Sequence, residues 1–294
     1  MPRLRLVNKA AAVAALTTIV SGVGAASVGA ASGTPTKATS GPLGSSCAPA
    51  SLKTVKAGEI TIGVDDPLYQ PWFASNNPKT GKGFEDAVDY AIAGELGYPR
   101  SATAFTRVTF DDAIQPGPKS FDYDLDEFTI TTARAKEVDF SAPYYTVAQA
   151  VVGLKGSAAA KSHTLAAVRK LQLGAQVGTT SYSVITNQIK PVRAPRVYND
   201  NNDAEAALQD GQIQGLVMDL PTAFEVTTGE VKGTTIIGQL PLAGQPSSFG
   251  ALLDKGSPLT TCVSKAVVAL KANGTLAKLQ TKWLARVGKA PELK

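Results

Sequence analysis

Short apolar runs of period two alternate along this chain with stretches in which apolar residues recur every three to four positions. The segment 59–65 alternates apolar with smaller or polar residues and predicts a strand. Apolar residues then recur every four positions from Phe84 to Leu96, and Gly97 follows where helices often end in a left-handed residue. This alternation continues along the chain and predicts an α/β protein with mostly parallel sheets.

Further strands are predicted at 107–110, 123–130, 146–154, 173–177, 196–199, 215–219 and 234–239. Helices are predicted between them at 165–171, 203–211 and 221–227. Ligands of open α/β sheets bind at the carboxyl ends of the strands. Polar or aromatic clusters follow several strands and mark the expected cleft, at 65–73, 126–134, 178–181 and 219–222.

The first residues have the features of an export signal. Three basic residues in the first nine positions precede an uncharged stretch at 10–36, with small residues suited to cleavage near 28–30. A retained membrane anchor is the alternative, which the scarcity of Leu, Ile and Phe disfavours. We expect a signal at 1–30, a disordered tether at 31–51 and an exported protein, periplasmic or extracellular.

The charge distribution argues against a nucleic-acid partner. The formal net charge is +5, but residues 1–58 hold six basic side chains and no acid. The remaining residues, 59–294, therefore hold 23 basic and 24 acidic side chains and are close to neutral. They lack a basic stripe interleaved with aromatic residues, so we expect no nucleic-acid binding.

The residues of common enzyme and metal sites are scarce. His163 is the only histidine and lies in a polar stretch, so a nitrogen and sulfur zinc site cannot be assembled. We find no nucleophile-elbow, dinucleotide or phosphate-loop motif and expect no cofactor, no metal and no catalysis. Cys47 follows polar rather than apolar residues, which disfavours a lipoprotein. In an oxidising compartment Cys47 and Cys262 are expected to form a disulfide.

Six motifs follow one another in a fixed order between residues 59 and 284. They are GVDDPLYQPWF, GKGFEDAVDYAIAGELG, FTITTARAKEVDFSAPYY, GAQVGTT, AALQDGQIQGLVMD and NGTLAKLQTKW. Together they resemble the polar amino acid-binding proteins of ABC importers, the extracellular solute-binding family 3 with a type II periplasmic-binding fold. The resemblance implies two α/β lobes joined by a two-segment hinge. We place one lobe at 52–152 and 247–294, and the other at 153–246.

Members of that family clamp a free amino acid between the lobes. The resemblance implies that Arg134 pairs with the ligand carboxylate and that Thr129 supplies a hydroxyl nearby. Asp219 is implied as the partner of the ligand ammonium, and Thr179 and Thr180 match the family's Gly-Thr-Thr turn. The alternatives are a solvated helical residue for Arg134 and ordinary helix caps for Asp219, Thr179 and Thr180.

Aromatic residues would form the walls around the ligand side chain. Tyr69 and Phe110 match the stacking positions of the family, and Trp72 would add an apolar wall, with ordinary core packing as the alternative. The family has one aspartate before this tyrosine, and the spacing to Tyr69 favours Asp66 over Asp65.

An acidic segment departs from the family pattern. Asp126, Glu127 and Phe128 stand where many members have small residues. We count Glu127 and Phe128 among the candidate ligand contacts, and acids in the pocket favour a polar or cationic amino acid.

The sequence thus favours a monomeric exported binding protein that delivers a free amino acid to an ABC permease. Two alternatives stay open. One is an exported dehydratase acting on prephenate-like or arogenate-like acids, with Glu127 or Asp126 as its acid or base. The other is an amino acid sensor module.

Overall fold

The computed structural model describes residues 43–241, 247–285, 287 and 290–294, and the expected export signal lies outside them. Within the described residues, the strands form two separate five-stranded sheets with helices packed against them. This confirms the predicted α/β class with two lobes.

The strands are β1 (Ile60–Val64), β2 (Thr103–Arg107), β3 (Tyr123–Asp124), β4 (Asp139–Val147), β5 (Gln149–Leu154), β6 (Leu173–Gln176), β7 (Arg196–Tyr198), β8 (Gly215–Asp219), β9 (Thr234–Gln239) and β10 (Ser247–Leu253). The helices are α1 (Phe84–Glu95), α2 (Phe110–Ile114), α3 (Arg134–Glu137), α4 (Leu165–Val168), α5 (Thr180–Val184), α6 (Asn201–Gln209), α7 (Leu220–Glu225), α8 (Thr260–Ala272) and α9 (Thr275–Trp283).

The first sheet has the order β2-β1-β3-β10-β4 and defines lobe 1. Its first three strands are parallel, whereas β10 runs antiparallel to β3 and β4. The predicted four-residue repeat of α1 forms its buried face, since Phe84, Val88 and Ile92 are all inaccessible to solvent. Gly97 ends this helix with a φ of 87°, a conformation that favours glycine.

The second sheet has the order β7-β6-β8-β5-β9 and defines lobe 2. Strands β7, β6 and β8 are parallel, and β5 is antiparallel to both of its neighbours. Its alternating side chains fall into two apolar clusters, one containing Val152 and Met218 and the other Val151 and Val217. This sheet therefore has apolar packing on both faces.

The first crossing between the lobes lies at Ala148, not at the boundary between residues 152 and 153 that the sequence predicted. Strand β4 belongs to the first sheet and ends at Val147, whereas β5 belongs to the second and begins at Gln149. The apolar run 146–154 suggests one strand because both of its halves are buried. The chain returns to lobe 1 between β9 and β10.

The last residues lie against lobe 2, although the sequence placed all of 247–294 in lobe 1. The backbone N–H of Leu293 donates to the carbonyl of Gln239 at 2.8 Å, and Gln239 N–H donates to the Pro291 carbonyl at 2.8 Å. Leu293 is 2% exposed and packs into one of the two apolar clusters. Ala290 joins the other, so this segment completes the core of lobe 2.

One predicted strand lies earlier in the chain than the sequence suggested, at Thr103–Arg107, and another is shorter. The segment 107–110 was expected to be a strand, but β2 ends at Arg107. The hydroxyl of Thr109 then accepts the backbone N–H of Asp112, which starts helix α2 at Phe110. Of the predicted strand 123–130 only its first two residues pair as β3, and Thr129 forms an isolated bridge.

The tether predicted at 31–51 is structured over its last residues. Short 3₁₀ turns occupy Ser45–Cys47 and Pro49–Ser51, and Cys47 is only 1% exposed. Cys47 forms the expected disulfide with Cys262 of α8, closing a loop with a sequence separation of 215. The disulfide attaches the start of the described chain to the helical face of lobe 1.

We expect the double variant Cys47→Ser, Cys262→Ser to lose stability, because a long loop closed by a disulfide reduces the entropy of the unfolded chain. The expected loss in the free energy of unfolding is about 2 to 5 kcal/mol. Denaturant titration of the variant and of the oxidised protein measures it. Two alkylated thiols in the unreduced native protein would contradict the bond itself.

Candidate ligand-binding site

The polar and aromatic clusters that the sequence predicted at the strand ends lie around a cleft between the lobes. Its cavity has an empty volume of about 490 Å³, including its open mouth. Lobe 1 contributes the lining residues Asp65, Tyr69, Phe110, Asp126, Glu127 and Arg134. Lobe 2 contributes Gln176, Thr179, Thr180, Ser181, Asn201, Val217, Met218, Asp219 and Thr222.

Arg134, at the start of α3, is the one basic side chain among these lining residues. One of its terminal nitrogens donates to the Thr129 carbonyl and the other to the Gly178 carbonyl, each at 2.9 Å. The guanidinium also lies 5.1 Å from the centre of the Phe110 ring. Burial lowers the pKa of Arg134 to about 10, so the side chain remains charged at neutral pH. Two of its five N–H donors are used by these bonds.

The lobes are closed on each other around this arginine. The Arg134–Gly178 hydrogen bond links lobe 1 to lobe 2, and the hydroxyls of Thr129 and Thr180 approach to 3.3 Å across the cleft. Gly178 has a φ of 71°, and a Cβ there would lie 2.3 Å from a carboxylate oxygen of Asp111. The positive φ favours glycine at this position, and a larger residue would also require the Asp111 side chain to move.

Asp219 ends β8 and precedes α7, but its carboxyl group makes no capping bond to that helix. One oxygen accepts a hydrogen bond from the side-chain amide of Gln149. The hydroxyl of Ser181 donates to the amide oxygen of Gln149 at 2.7 Å and so fixes its orientation. Burial raises the pKa of Asp219 to about 7. The carboxyl group is thus oriented toward the cleft rather than used in its own helix.

Glu127 approaches Asp219 from the opposite lobe. Its backbone has a φ of 51°, and its N–H donates to a carboxylate oxygen of Glu85 at 2.9 Å. A non-glycine residue in this conformation costs about 1 kcal/mol, which the surrounding contacts must offset. Burial, and then the nearby Asp219, raise the pKa of Glu127 well above its usual value.

Asp65, rather than the predicted Asp66, lines the cavity. One oxygen of Asp65 accepts the backbone N–H groups of Asp66 and Phe110, at 2.7 and 3.0 Å. These bonds turn the Asp65 side chain inward, and burial raises its pKa to about 6. The Asp66 carboxylate is 63% exposed and lies 3.9 Å from Arg107. Spacing to the tyrosine could not show which of the two carboxylates turns inward.

The predicted aromatic walls divide into lining and supporting rings. Tyr69 and Phe110 line the cavity. Phe128 does not line it but stacks behind Phe110 with the ring centres 5.0 Å apart. Trp72 is 1% exposed and lies in the lobe 1 core, with its ring 5.6 Å from that of Phe249. Core packing, the alternative weighed for Trp72, is therefore what the structure has.

The predicted threonines have different surroundings. Thr129 is buried beside the cavity, and its carbonyl holds Arg134. The Thr179 hydroxyl donates to the Gln176 carbonyl at 2.8 Å and accepts the Tyr182 N–H at 3.3 Å, so it caps α5. Thr180 faces the cavity from the next position.

Several lining residues were not predicted as ligand contacts. Ser181, Asn201 and Thr222 lie near the starts of helices that follow strand ends, and position at a strand end is the only sequence signal that could have indicated them. Asp126 is 6% exposed and one of its oxygens has no hydrogen-bond partner. Burial and neighbouring carboxylates raise its pKa well above the usual value.

Additional carboxyl groups lie beneath the cleft in lobe 1. Asp89 and Asp124 are fully buried, and neither oxygen of either has a hydrogen-bond partner. Burial is the main cause that raises both pKa values, and Glu85 contributes to each. These groups therefore favour the protonated form in the folded protein.

Neither a metal centre nor a membrane span is evident in the described part of the chain. No group of three or more His, Cys, Asp or Glu side chains there is arranged to hold a metal ion. No helix among the described residues has the length and apolar character needed to cross a membrane.

Comparison with known proteins places this cleft in a family. Residues 60–286 match the family of bacterial extracellular solute-binding proteins, family 3. Because the match covers most of the chain, the protein belongs to this family, and the sequence-based assignment is confirmed.

The curated relatives include transport proteins of several bacteria. The chain is 26% identical to an arginine-binding periplasmic protein of Mannheimia haemolytica, over 79% of this chain and 93% of the relative. It is 27% identical to the ABC transporter arginine-binding protein 1 of Escherichia coli (strain K12), over 77% and 91%. It is 28% identical to an ABC transporter glutamine-binding protein of Bacillus subtilis (strain 168), over 72% and 77%.

Solved structures share the same architecture. An ancestral arginine-binding protein bound to arginine is 27% identical with a TM-score of 0.63, covering 77% of this chain and 98% of the other. An ancestral amino acid-binding protein described as a precursor of cyclohexadienyl dehydratase is also 27% identical, with a TM-score of 0.63, 77% and 95% coverage. Both support the type II periplasmic-binding fold.

The buried carboxyl groups predict a pH-dependent stability. Folding raises the pKa of these carboxyl groups above the value of about 4 that they have in the unfolded chain. Their contribution to the free energy of unfolding is fully present below about pH 4 and is lost as the pH rises through the pKa of the folded protein. The free energy of unfolding should therefore fall between pH 5 and pH 8. We expect Asp89→Asn to reduce that slope by up to about 1.4 kcal/mol per pH unit.

Denaturant titrations at several pH values measure this slope. Asp210→Asn is the matched control, because it changes an exposed aspartate of lobe 2. An Asp89→Asn slope equal to that of the unmodified protein would contradict the assignment of a protonated Asp89.

Proposed function

We propose that this protein is an exported binding protein that captures a free amino acid, with a polar and preferably cationic side chain, and delivers it to an ABC permease. One observation supports this above all: four carboxyl groups and a single guanidinium line the cavity. An amino acid with a cationic side chain brings one negative and two positive charges, which complements that lining.

The ligand carboxylate is assigned to Arg134. Its guanidinium is charged and buried, is held by two carbonyls, and retains free N–H donors for a planar anion. The hydroxyl of Thr180, across the cleft, is a second donor within the cavity lining. The capping role of Thr179 leaves its hydroxyl less available.

The ligand ammonium is assigned to Asp219, with Glu127 as a second acidic neighbour. Both carboxyl groups line the cavity from opposite lobes, and burial and Asp219 raise the pKa of Glu127, so the closed form without ligand favours a proton on this pair. An ammonium placed between them replaces that proton and satisfies both oxygens. The buried charge of the zwitterion is then paired at both ends.

The ligand side chain is assigned to the space beside Asp65 and Asp126, with Tyr69 and Phe110 as its walls. A guanidinium or ammonium suits this space because an acidic neighbour neutralises it and an aromatic face attracts it. The names of the arginine-binding relatives are consistent with this preference.

A second candidate function is a dehydratase, since one similar structure is described as a precursor of such an enzyme. Prephenate carries two carboxylates, and a cavity with four acids and one arginine repels a dianion. We therefore favour binding without turnover. Formation of an absorbing product from prephenate would support the enzyme instead.

The location and partners follow from the same proposal. The relatives are named as periplasmic or ABC transporter binding proteins, which supports an exported protein that works beside a membrane permease. An amino acid sensor would need the same cleft but a different partner. Pull-down with the permease encoded nearest to this gene would separate import from sensing.

We expect L-arginine and L-lysine to raise the melting temperature, and L-glutamate and sugars to leave it unchanged. A ligand at a hundredfold excess over its dissociation constant stabilises the folded state by about 2.7 kcal/mol. A thermal-shift screen of the twenty amino acids measures this. A shift with sugars or peptides alone would overturn the substrate class.

Arg134→Ala should weaken amino acid binding by between about thirtyfold and several thousandfold, because a buried carboxylate loses its charged partner. Arg134→Lys should recover only part of the affinity, since an ammonium lacks the planar pair of donors. Calorimetric titration with L-arginine measures both variants. Near-native affinity in a correctly folded Arg134→Ala would contradict the assignment.

The matched control is Arg193→Ala, which removes an exposed arginine on the surface of lobe 2. It should bind L-arginine as the unmodified protein does.

A further inference from the structure

We propose that Thr222 of lobe 2 is a latch that holds the lobes closed, and that the latch forms only when a proton or a cation offsets the repulsion between Glu127 and Asp219. This proposal rests on the proposed function, because the cation is taken to be the ammonium of an amino acid. It assigns Thr222 a positioning role that the sequence did not suggest.

The latch is a chain of two hydrogen bonds that crosses the cleft twice. The indole N–H of Trp72 in lobe 1 donates to the Thr222 hydroxyl at 2.9 Å. That hydroxyl donates to a carboxylate oxygen of Glu127, again in lobe 1, at 2.9 Å. Thr222 is 1% exposed, so both bonds are shielded from water. A single hydroxyl thus uses its donor and an acceptor position to join the lobes.

Both lobe 1 partners are held rigidly. The ring of Trp72 packs against Phe84, Tyr145 and Phe249, with ring centres 5.6 to 6.1 Å apart. Glu127 is held by its backbone bond to Glu85 at a positive φ. Neither side chain can follow Thr222 when lobe 2 moves away. Opening therefore breaks both bonds and leaves the indole N–H of Trp72 without its partner.

The condition on closure comes from the position of Asp219. Asp219 immediately precedes α7, and Thr222 lies three positions further on. An aspartate before a helix commonly accepts the N–H three residues later, but this capping bond is absent here. The Asp219 carboxyl group instead accepts the side-chain amide of Gln149 and lines the same cavity that Glu127 lines from lobe 1. Any movement that forms the Thr222–Glu127 bond therefore also brings Asp219 against Glu127.

Two carboxylates from opposite lobes repel each other when closure brings them together. A proton or a bound cation between them removes this penalty. In the absence of ligand, closure requires uptake of a proton, whereas a ligand ammonium supplies the positive charge directly. Latch formation and ligand capture are coupled in this way, and Thr222 contributes to affinity by stabilising the closed form rather than by a bond to the ligand.

The test uses the full protein and two readouts. Because the chain has only two tryptophans, the Trp72 indole N–H gives one of two indole signals in a nitrogen–proton correlation spectrum, and Trp283→Phe identifies it. Its hydrogen exchange reports whether the latch is formed. Stopped-flow fluorescence with L-arginine gives the association and dissociation rates.

Thr222→Val keeps the shape of the side chain and removes both bonds. We expect it to weaken L-arginine affinity roughly tenfold to hundredfold, almost entirely through faster dissociation, and to abolish protection of the Trp72 indole N–H in the bound state. Thr222→Ser should restore both readouts. Unchanged dissociation and unchanged protection in Thr222→Val would overturn the latch.

Thr234→Val is the matched control. Thr234 is also fully buried in lobe 2, but its hydroxyl bonds to the Val231 carbonyl within the same lobe. It should lower the melting temperature without changing L-arginine dissociation. If Thr234→Val accelerates dissociation as much as Thr222→Val, the effect is one of general stability and the proposal fails.

Glu127→Gln tests the condition on closure and needs no ligand. It removes the repulsion with Asp219 but retains an oxygen that accepts from Thr222. We expect the ligand-free variant to protect the Trp72 indole N–H more strongly than the ligand-free unmodified protein at pH 7. Equal protection in the two ligand-free proteins would overturn the coupling between latch formation and charge, whether or not L-arginine binds. If Glu127→Gln does increase the protection but L-arginine does not bind to the unmodified protein, only the proposed ligand is wrong.

Discussion

The cleft has more acidic than basic lining residues, and this excess determines what the cavity can bind. Asp65, Asp126, Glu127 and Asp219 are packed around a cavity in which Arg134 is the one basic lining residue. Burial raises the pKa of each of these acids, which means that the closed cavity stabilises bound protons or bound cations. This lining supports the proposed preference for a ligand that supplies more positive than negative charge.

The fold delivers these charges from opposite sides. Glu127 and Arg134 follow the short strand β3 in lobe 1, whereas Asp219 ends β8 in lobe 2. Because the chain crosses from one sheet to the other at the single residue Ala148, a rotation there changes the separation of the two groups of charges. In the proposed mechanism, closure of the lobes and neutralisation of the repulsion between Glu127 and Asp219 therefore occur together.

The sequence predicted the α/β lobes, the disulfide and the elements that surround the cleft, because apolar periodicity and motif order are local properties of the chain. It could not decide between Asp65 and Asp66, since that choice depends on backbone N–H groups contributed by a distant helix start. It also placed Trp72 in the wall of the pocket. The sequence places an aromatic residue near a cleft, but it does not show whether the ring lines the cavity or, as for Trp72, packs in the core.

The lobe boundary was misplaced for a similar reason. Buried strands of two different sheets give one continuous apolar run when a single residue separates them. The position of 290–294 left no sequence signal, because their pairing with β9 depends on backbone bonds and on two small apolar contacts. Such interactions are visible only once the tertiary structure is known.

The placement of 290–294 in lobe 2 has a consequence for biosynthesis. Lobe 1 needs β10, α8 and α9, and lobe 2 needs residues 290–294 to fill its core. Both lobes therefore complete their native packing only after residues 247–294 have been synthesised. The two lobes become complete at nearly the same time, rather than one after the other along the chain.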